Sequence, residues 1–226
     1  VISGTSAGAL TGVLYCDGHT PKQILKMMKT DNRLNYMRPV LPREGLLQIT
    51  GVAKILTTNL RAKNFEDLKI PLFATATDLN NGRSVSFSKG ELINAIIASA
   101  SIPILFKPVI INNIHYVDGG VLDDFPIRPI ENKCRLIIGS FVNSIGHEDM
   151  SGGLIKIAVR TFTLSMYREL KEKHKKFDLL IAPEQLKDFG LLESEKADEL
   201  FEIGYKTTRG NLKDPEVWKF ISSKLS

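Results

Sequence analysis

The most constraining stretch of this chain is its start, where Val1 and Ile2 lead through Ser3 into Gly4-Thr5-Ser6-Ala7-Gly8 and a helix-forming segment. A β-capable apolar pair, a Gly-x-Ser-x-Gly pentapeptide and a small-residue run describe a strand, a sharp turn and a helix. A serine on so tight a turn occupies a strained backbone, and the glycines on either side, Gly4 and Gly8, let strand and helix pass closely. Ser6 then stands at the carboxyl edge of a sheet, with the backbone N–H of Ala7 and the helix N-terminus aimed at any oxyanion formed there. Taken alone, the pentapeptide fits a nucleophilic serine or merely the start of a small-residue helix.

The pattern of the remaining chain alternates helices with buried strands. Helices are expected over Ala7–Tyr15, from Thr20-Pro21 with Ile24, Leu25 and Met28 on one face, over Leu46–Leu60 and over Glu91–Ala100. Residues Asn32–Gly45, with Pro39 and Pro42, read as a loop. Strands are expected at Ile70–Thr77 and Ser84–Phe87, joined through Asn81-Gly82, and at Val109–Ile111 and Ile114–Val117, joined through Asn112-Asn113. Arg135–Val142 and Asp178–Ala182 read as further strands, and Leu154–Phe177, Ser194–Leu212 and Asp214–Leu225 as helices. Such alternation implies an α/β fold with helices on both faces of a mixed, mostly parallel sheet, and residues 1–226 read as one domain.

Composition narrows the function classes. The net charge of +5 is modest, and the lysines of Arg168–Lys176 are interleaved with glutamates, which reads as a solvated helix face rather than a nucleic-acid surface. Cys16 and Cys134 lack the spacing of a metal site or a disulfide framework, so a reducing, cytoplasmic setting and no metal or cofactor are expected. No apolar run approaches the ~18 residues that span a bilayer. A chain opening on Val1 at the end of a strand reads as lacking its native N-terminal strand.

A nucleophilic serine needs a base. His19, His147 and His174 lie in a turn, a polar loop and a charged helix, and each reads as solvated, while His115 lies on a strand. His115 is three residues from Asp118, so the two side chains point to opposite faces of their strand. Asp118 itself ends the apolar run Ile114–Val117 and precedes Gly119 and Gly120, which permit a sharp turn and close approach by another segment. A carboxylate with an ordinary pKa near 3.9 is a poor base, so Asp118 needs desolvation by an apolar wall to work near neutrality. Asp-Gly-Gly also fits an ordinary turn.

Ser6 in Gly-Thr-Ser-Ala-Gly and Asp118 in Asp-Gly-Gly, in that order, resemble the Ser-Asp dyad of the patatin-like phospholipase family. Phe65-Glu66-Asp67-Leu68-Lys69-Ile70-Pro71-Leu72, Ala76-Thr77-Asp78-Leu79, Ala98-Ser99-Ala100-Ser101-Ile102-Pro103 and Phe106-Lys107-Pro108 are similar to that family's bacterial members, so the likeness runs from Val1 to about Pro129. It implies a three-layer α/β/α fold, no metal or cofactor, and hydrolysis of phospholipids or other acyl esters through an acyl-enzyme on Ser6, with Asp118 as base. Asp78 and Asp123 match structural surroundings. The family's Gly-Gly-Gly-x-Arg/Lys-Gly oxyanion loop has no counterpart before Ser6, and Ser151-Gly152-Gly153 comes too late to serve.

The resulting expectation is a serine lipid acyl hydrolase, cytoplasmic or peripheral at a membrane that it touches transiently through apolar loops such as Tyr36–Leu41. A non-catalytic lipid-binding or regulatory relative and an acyltransferase on the same scaffold are the alternatives. A Ser-His-Asp hydrolase makes the opposite prediction in mutant assays: His147→Ala or His174→Ala abolishes turnover and Asp118→Asn spares it, whereas the dyad requires the reverse.

Overall fold

The computed structural model describes residues 1–30, 38–39, 47–151, 153–190 and 194–225. Strand β1 (Ile2–Thr5) turns at Ser6 into helix α1 (Ala7–Cys16). Helix α2 (Pro21–Thr30) is capped reciprocally: the Gln23 N–H donates to Thr20 Oγ1 at 3.3 Å while Gln23 Oε1 accepts the Thr20 N–H at 2.8 Å. The rest of the loop read at Asn32–Gly45 lies outside the described residues, except that Arg38–Pro39 (β2) pairs antiparallel with Leu47–Gln48 (β3). Helix α3 therefore spans Thr50–Asn59 rather than starting at Leu46, because pairing with β2 takes the backbone of Leu47 and Gln48 and Gly51 favours helix weakly.

Strands β4 (Leu72–Asp78) and β5 (Arg83–Phe87) form the first hairpin. Its turn is fixed by Asp78, whose carboxylate accepts from the Asn81 N–H at 3.0 Å, Asn81 Nδ2 at 2.8 Å and Arg83 Nε at 3.1 Å. Helix α4 (Leu92–Ser99) begins at Glu91, whose carboxylate takes the N–H groups of Ile93 and Asn94. In the second hairpin, β6 (Val109–Ile111) and β7 (Ile114–Asp118) are joined by Asn112 and Asn113 at φ 51° and 63°, the two-residue turn that the sequence indicates.

The later elements are β8 (Ile138–Ser140), α5 (Gly153–Lys173), β9 (Leu179–Ile181), α6 (Ala197–Lys213) and α7 (Pro215–Leu225). The strand read over Arg135–Val142 contracts to β8 because its parallel partner β9 is short. Pro183 follows β9 closely, while before it the Asp178 carboxylate takes the Ile137 N–H at 2.8 Å.

Topology decides where the ends of β1 and β7 meet. β4 pairs with β5 along Ala74–Asp78, with β1 in parallel along Leu72–Thr75, and with β7 antiparallel along Ala76–Asp78. Both β1 and β7 overlap the β5 register, so they share the opposite edge of β4 and lie there end to end. Thr5 is level with Thr75 and Asp118 with Ala76, the next position along. The mixed sheet thus has a parallel β1–β4 pairing with antiparallel strands added by the two hairpins.

One face of this sheet is apolar. Leu72 and Ala74 pack among Ala9, Val13, Leu56, Leu92 and Ile96 from α1, α3 and α4, and Ala76 continues the layer against Ala98 and Tyr116. On the other face α5 brings Phe162 and Met166 against Gly120, and Lys133 covers the Phe73 ring. A sheet between helical layers is the α/β/α arrangement. Among the described residues no helix is long and apolar enough to cross a membrane.

The junction of β1, β4 and β7 has no room to spare. A Cβ on Gly119 would lie 2.3 Å from the Thr75 carbonyl oxygen and 2.9 Å from Thr5 Cγ2, both on a backbone already fixed in the sheet. Gly119→Ala is expected to destabilise the protein by roughly 1–3 kcal/mol, read as a lower denaturation midpoint, whereas Gly8→Ala, whose Cβ meets nothing within 4 Å, is expected to leave it within about 0.5 kcal/mol.

Candidate active site

Ser6 sits in the turn between β1 and α1 at φ 53°, ψ −121°, a conformation that non-glycine residues avoid and that costs on the order of 1–3 kcal/mol. Gly4 makes the turn possible: a Cβ there would lie 2.6 Å from the carbonyl carbon of Gly8. Gly8 is under no such constraint, since a Cβ there would meet nothing within 4 Å, so the close pass of strand and helix rests on Gly4 rather than on both glycines. No side chain caps α1, and the first N–H groups, those of Ala7 and Gly8, have no intrahelical acceptor. The Ser6 carbonyl receives the N–H groups of Ala9 and Leu10, both at 3.0 Å.

Asp118 closes β7 with none of its surface exposed. Its Oδ1 accepts the Gly120 N–H at 2.8 Å, and its own N–H donates to the Ser101 carbonyl at 2.9 Å. Burial pushes the carboxyl up from the ordinary 3.8 to about 6, with the Ser6 hydroxyl and the Gly120 N–H holding it back in part. The Ser6 hydroxyl faces this carboxyl without reaching full hydrogen-bond geometry, and Oδ2 is a buried acceptor with no partner. Gly120 gives α5 its place, since a Cβ there would lie 2.7 Å from Met166 Sδ and 3.1 Å from Phe162 Cζ.

The structure therefore brings together Ser6, Ala7, Gly4, Gly8, Asp118, Gly119 and Gly120. It places the histidines elsewhere. His115, His147 and His174 are exposed, and His19, beyond the far end of α1, shares Nε2 with the Asn59 carbonyl at 3.0 Å and Asp17 at 3.4 Å. Asp78 is committed to its turn: burial raises its pKa, but the bonds from Asn81 and Arg83 outweigh that and hold it below the ordinary value. Asp123 takes Lys173 Nζ on Oδ1 at 2.6 Å, and its carbonyl takes the Thr5 hydroxyl at 2.8 Å.

Two contacts escape a reading of the sequence. Ser99 is buried at the end of α4, where its Oγ accepts the Ser6 N–H at 3.0 Å and donates to the Thr75 carbonyl at 2.6 Å. Lys173, in the charged segment read as a solvated face, instead reaches Asp123 and the Phe125 carbonyl, and Lys176 reaches Glu131 at 3.1 Å. Their one sequence-level signal is position: Ser99 falls in the Ala98–Pro103 block, and the lysines carry no signal for long-range pairing.

The raised pKa fixes a sign for stability. A carboxyl at about 6 folded and 3.8 unfolded favours the folded state below pH 3.8 and loses that advantage as pH rises through 6. Asp118→Asn is therefore expected to raise the melting temperature at pH 7–8, by no more than ~3 kcal/mol of stability, and to leave it nearly unchanged at pH 4. Melting curves at the two pH values check this.

Comparison with known proteins bears on the same residues. The family model described as Patatin-like phospholipase matches residues 1–130. An uncharacterized NTE family protein of Mycobacterium tuberculosis (strain H37Rv) is 32% identical over 131 residues, covering 57% of this chain and 36% of that protein. A probable lipid hydrolase of Invertebrate iridescent virus 6 is 30% identical over 146 residues, covering 55% of this chain and 50% of the viral protein. The human patatin-like phospholipase domain-containing protein 2 is 27% identical over 195 residues, covering 82% of this chain and 38% of the human one. The chain thus spans between about a third and a half of the length of these relatives. With the strained serine, the buried aspartate and the tight glycines all inside the matched stretch, this chain belongs to the patatin-like phospholipase family.

Proposed function

We propose that the chain is the acyl-hydrolase unit of a lipid esterase, in which Ser6 is the nucleophile and Asp118 its base. One observation carries the reading: a strained serine and a fully buried carboxylate with an unpartnered oxygen meet at the junction of three strands, beside free helix N–H groups. Relatives described as a probable lipid hydrolase and as patatin-like phospholipase domain-containing proteins support the substrate class.

In this mechanism the Ser6 oxygen attacks the ester carbonyl carbon while the Asp118 carboxylate takes the hydroxyl proton. Negative charge develops on the carbonyl oxygen, where the Ala7 N–H and the positive end of α1 stabilise it. Collapse breaks the ester bond, Asp118 returns the proton to the departing alcohol, and the acyl group stays on Ser6. Water then attacks the acyl-enzyme, giving its proton to Asp118, and the carboxylic acid leaves with Ser6 restored. A pKa of about 6 suits both roles, since the group is ionised near neutrality yet basic enough to take a proton.

Apolar surface borders the site. Ile104 is half exposed on the turn after Ser101, and Leu154, Ile155 and Ile157 are exposed on the N-terminal half of α5, which packs on that turn through Val159 and Phe162. These residues serve as a transient contact with acyl chains or a membrane surface; the loop read for that role at Tyr36–Leu41 lies, apart from β2, outside the described residues.

A fluorophosphonate probe on the complete natural protein provides the test. Labelling is expected in the wild type and absent in Ser6→Ala, while phospholipid vesicles release free fatty acid only with the wild type. No labelling of Ser6 sinks the hydrolase in favour of a binding module, and transfer of the acyl group to an added alcohol in preference to water marks an acyltransferase. kcat/KM is expected to be flat above pH 6 and to fall about tenfold per pH unit below it, as Asp118 becomes protonated and can no longer accept a proton.

A further inference from the structure

Ser6 is held in a backbone conformation that its own chemistry disfavours, so something outside the turn has to hold it. The pairing of β1 stops short of it, the last registered pair being Thr5 with Thr75, and α1, which begins at Ala7, engages only the Ser6 carbonyl, through the N–H groups of Ala9 and Leu10. The Ser6 N–H has a single partner among the described hydrogen bonds, the Oγ of Ser99, 93 positions along the chain. That hydroxyl is in turn oriented by donating to the Thr75 carbonyl on β4, at 2.6 Å. Ser99 is entirely buried at the last turn of α4, where it bonds both the turn that follows β1 and the strand that β1 and β7 share.

We propose that Ser99 is a positioning residue for the nucleophile: its hydroxyl holds the Ser6 N–H against β4 and so fixes the elbow in register with Asp118. The proposal rests on the Ser6–Asp118 reading above and deepens it. Two consequences follow from the bond directions. The Ser6 N–H is spoken for and does not serve an oxyanion, which leaves the Ala7 N–H as the elbow's donor. The same short segment also anchors the base, because the Ser101 carbonyl two residues later takes the Asp118 N–H at 2.9 Å. One end of one helix therefore sets the position of both reacting groups, and the distance between them depends on a hydrogen bond that neither makes to the other.

A residue of this kind acts on rate more than on affinity, because a displaced nucleophile binds substrate as before but attacks it badly. In the complete natural protein, Ser99→Ala is expected to lower the rate of fluorophosphonate labelling and kcat on a soluble short-chain p-nitrophenyl ester by tenfold or more, with KM changed by less than threefold. The acid limb of the pH profile should keep its midpoint or move slightly upward, since the burial of Asp118 is untouched while a displaced Ser6 hydroxyl holds its pKa down less. Ile55→Val, a core change away from the site, reports what general destabilisation alone does and is expected to label at the wild-type rate. If Ser99→Ala does not fold, Ser99→Cys fills the same space with a much weaker acceptor and is expected to show the same loss of kcat. Labelling of a folded Ser99 variant within twofold of wild type overturns the proposal, as does an equal loss in Ile55→Val or a downward shift of the acid limb. Failure of the underlying dyad reading looks different: Ser6→Ala would then label and turn over like the wild type.

Discussion

The shared edge of β4 is the constraint on which the site depends. Two strands approach it from opposite directions, β1 along Leu72–Thr75 and β7 along Ala76–Asp78, and neither can extend without displacing the other. Each strand must therefore turn away at the point where they meet. β1 turns sharply through Ser6 into α1, and β7 turns through Gly119 and Gly120 towards α5. The residues at the two turns come face to face because their strands end there, although 112 positions of chain lie between them. The strain at Ser6 and the lack of space at Gly119 are two expressions of the same crowding.

This arrangement puts two unfavourable features side by side. A left-handed serine and a buried carboxylate each cost on the order of one to a few kcal/mol, and the fold tolerates them because the neighbouring apolar layer is well packed. Val13, Leu14, Leu72, Leu92 and Ile96 are fully buried in that layer, at the level of the strand and helices that carry the site. The unpartnered Oδ2 of Asp118 is informative for the same reason. A buried acceptor left without a donor is a destabilising feature in structural terms, and under the proposed mechanism it is the oxygen open to the Ser6 proton.

Much of this was legible in the sequence where the signal was local. The elbow follows from glycines spaced around a serine, and the second hairpin from Asn112-Asn113, because both depend on backbone angles that few residue types accept. Asp118 ends the apolar run Ile114–Val117, and its burial there raises its pKa. What failed to show was pairing at long range. Arg135–Val142 has strand composition throughout, yet only three residues pair because β9 offers no more. Ser99 looks like any small residue near a helix end until β1, β4 and α4 are placed together, and Lys173 looks solvated until Asp123 is brought against it.

Lys173 also shows why the site does not end where the family match does. The matched stretch stops at residue 130, but the turn after Asp118 is held by groups from α5 beyond it. Phe162 and Met166 press on Gly120, while Lys173 binds Asp123 and the Phe125 carbonyl; the Asp123 carbonyl in turn receives the hydroxyl of Thr5, the residue before Ser6. The polar contacts run from α5 through Asp123 to β1, and the apolar ones from α5 to the turn that carries Asp118. A helix outside the recognised half of the family pattern therefore braces both Ser6 and Asp118 from the face of the sheet opposite α1 and α4, and the geometry of the pair is a property of the whole layered structure rather than of the matched segment alone.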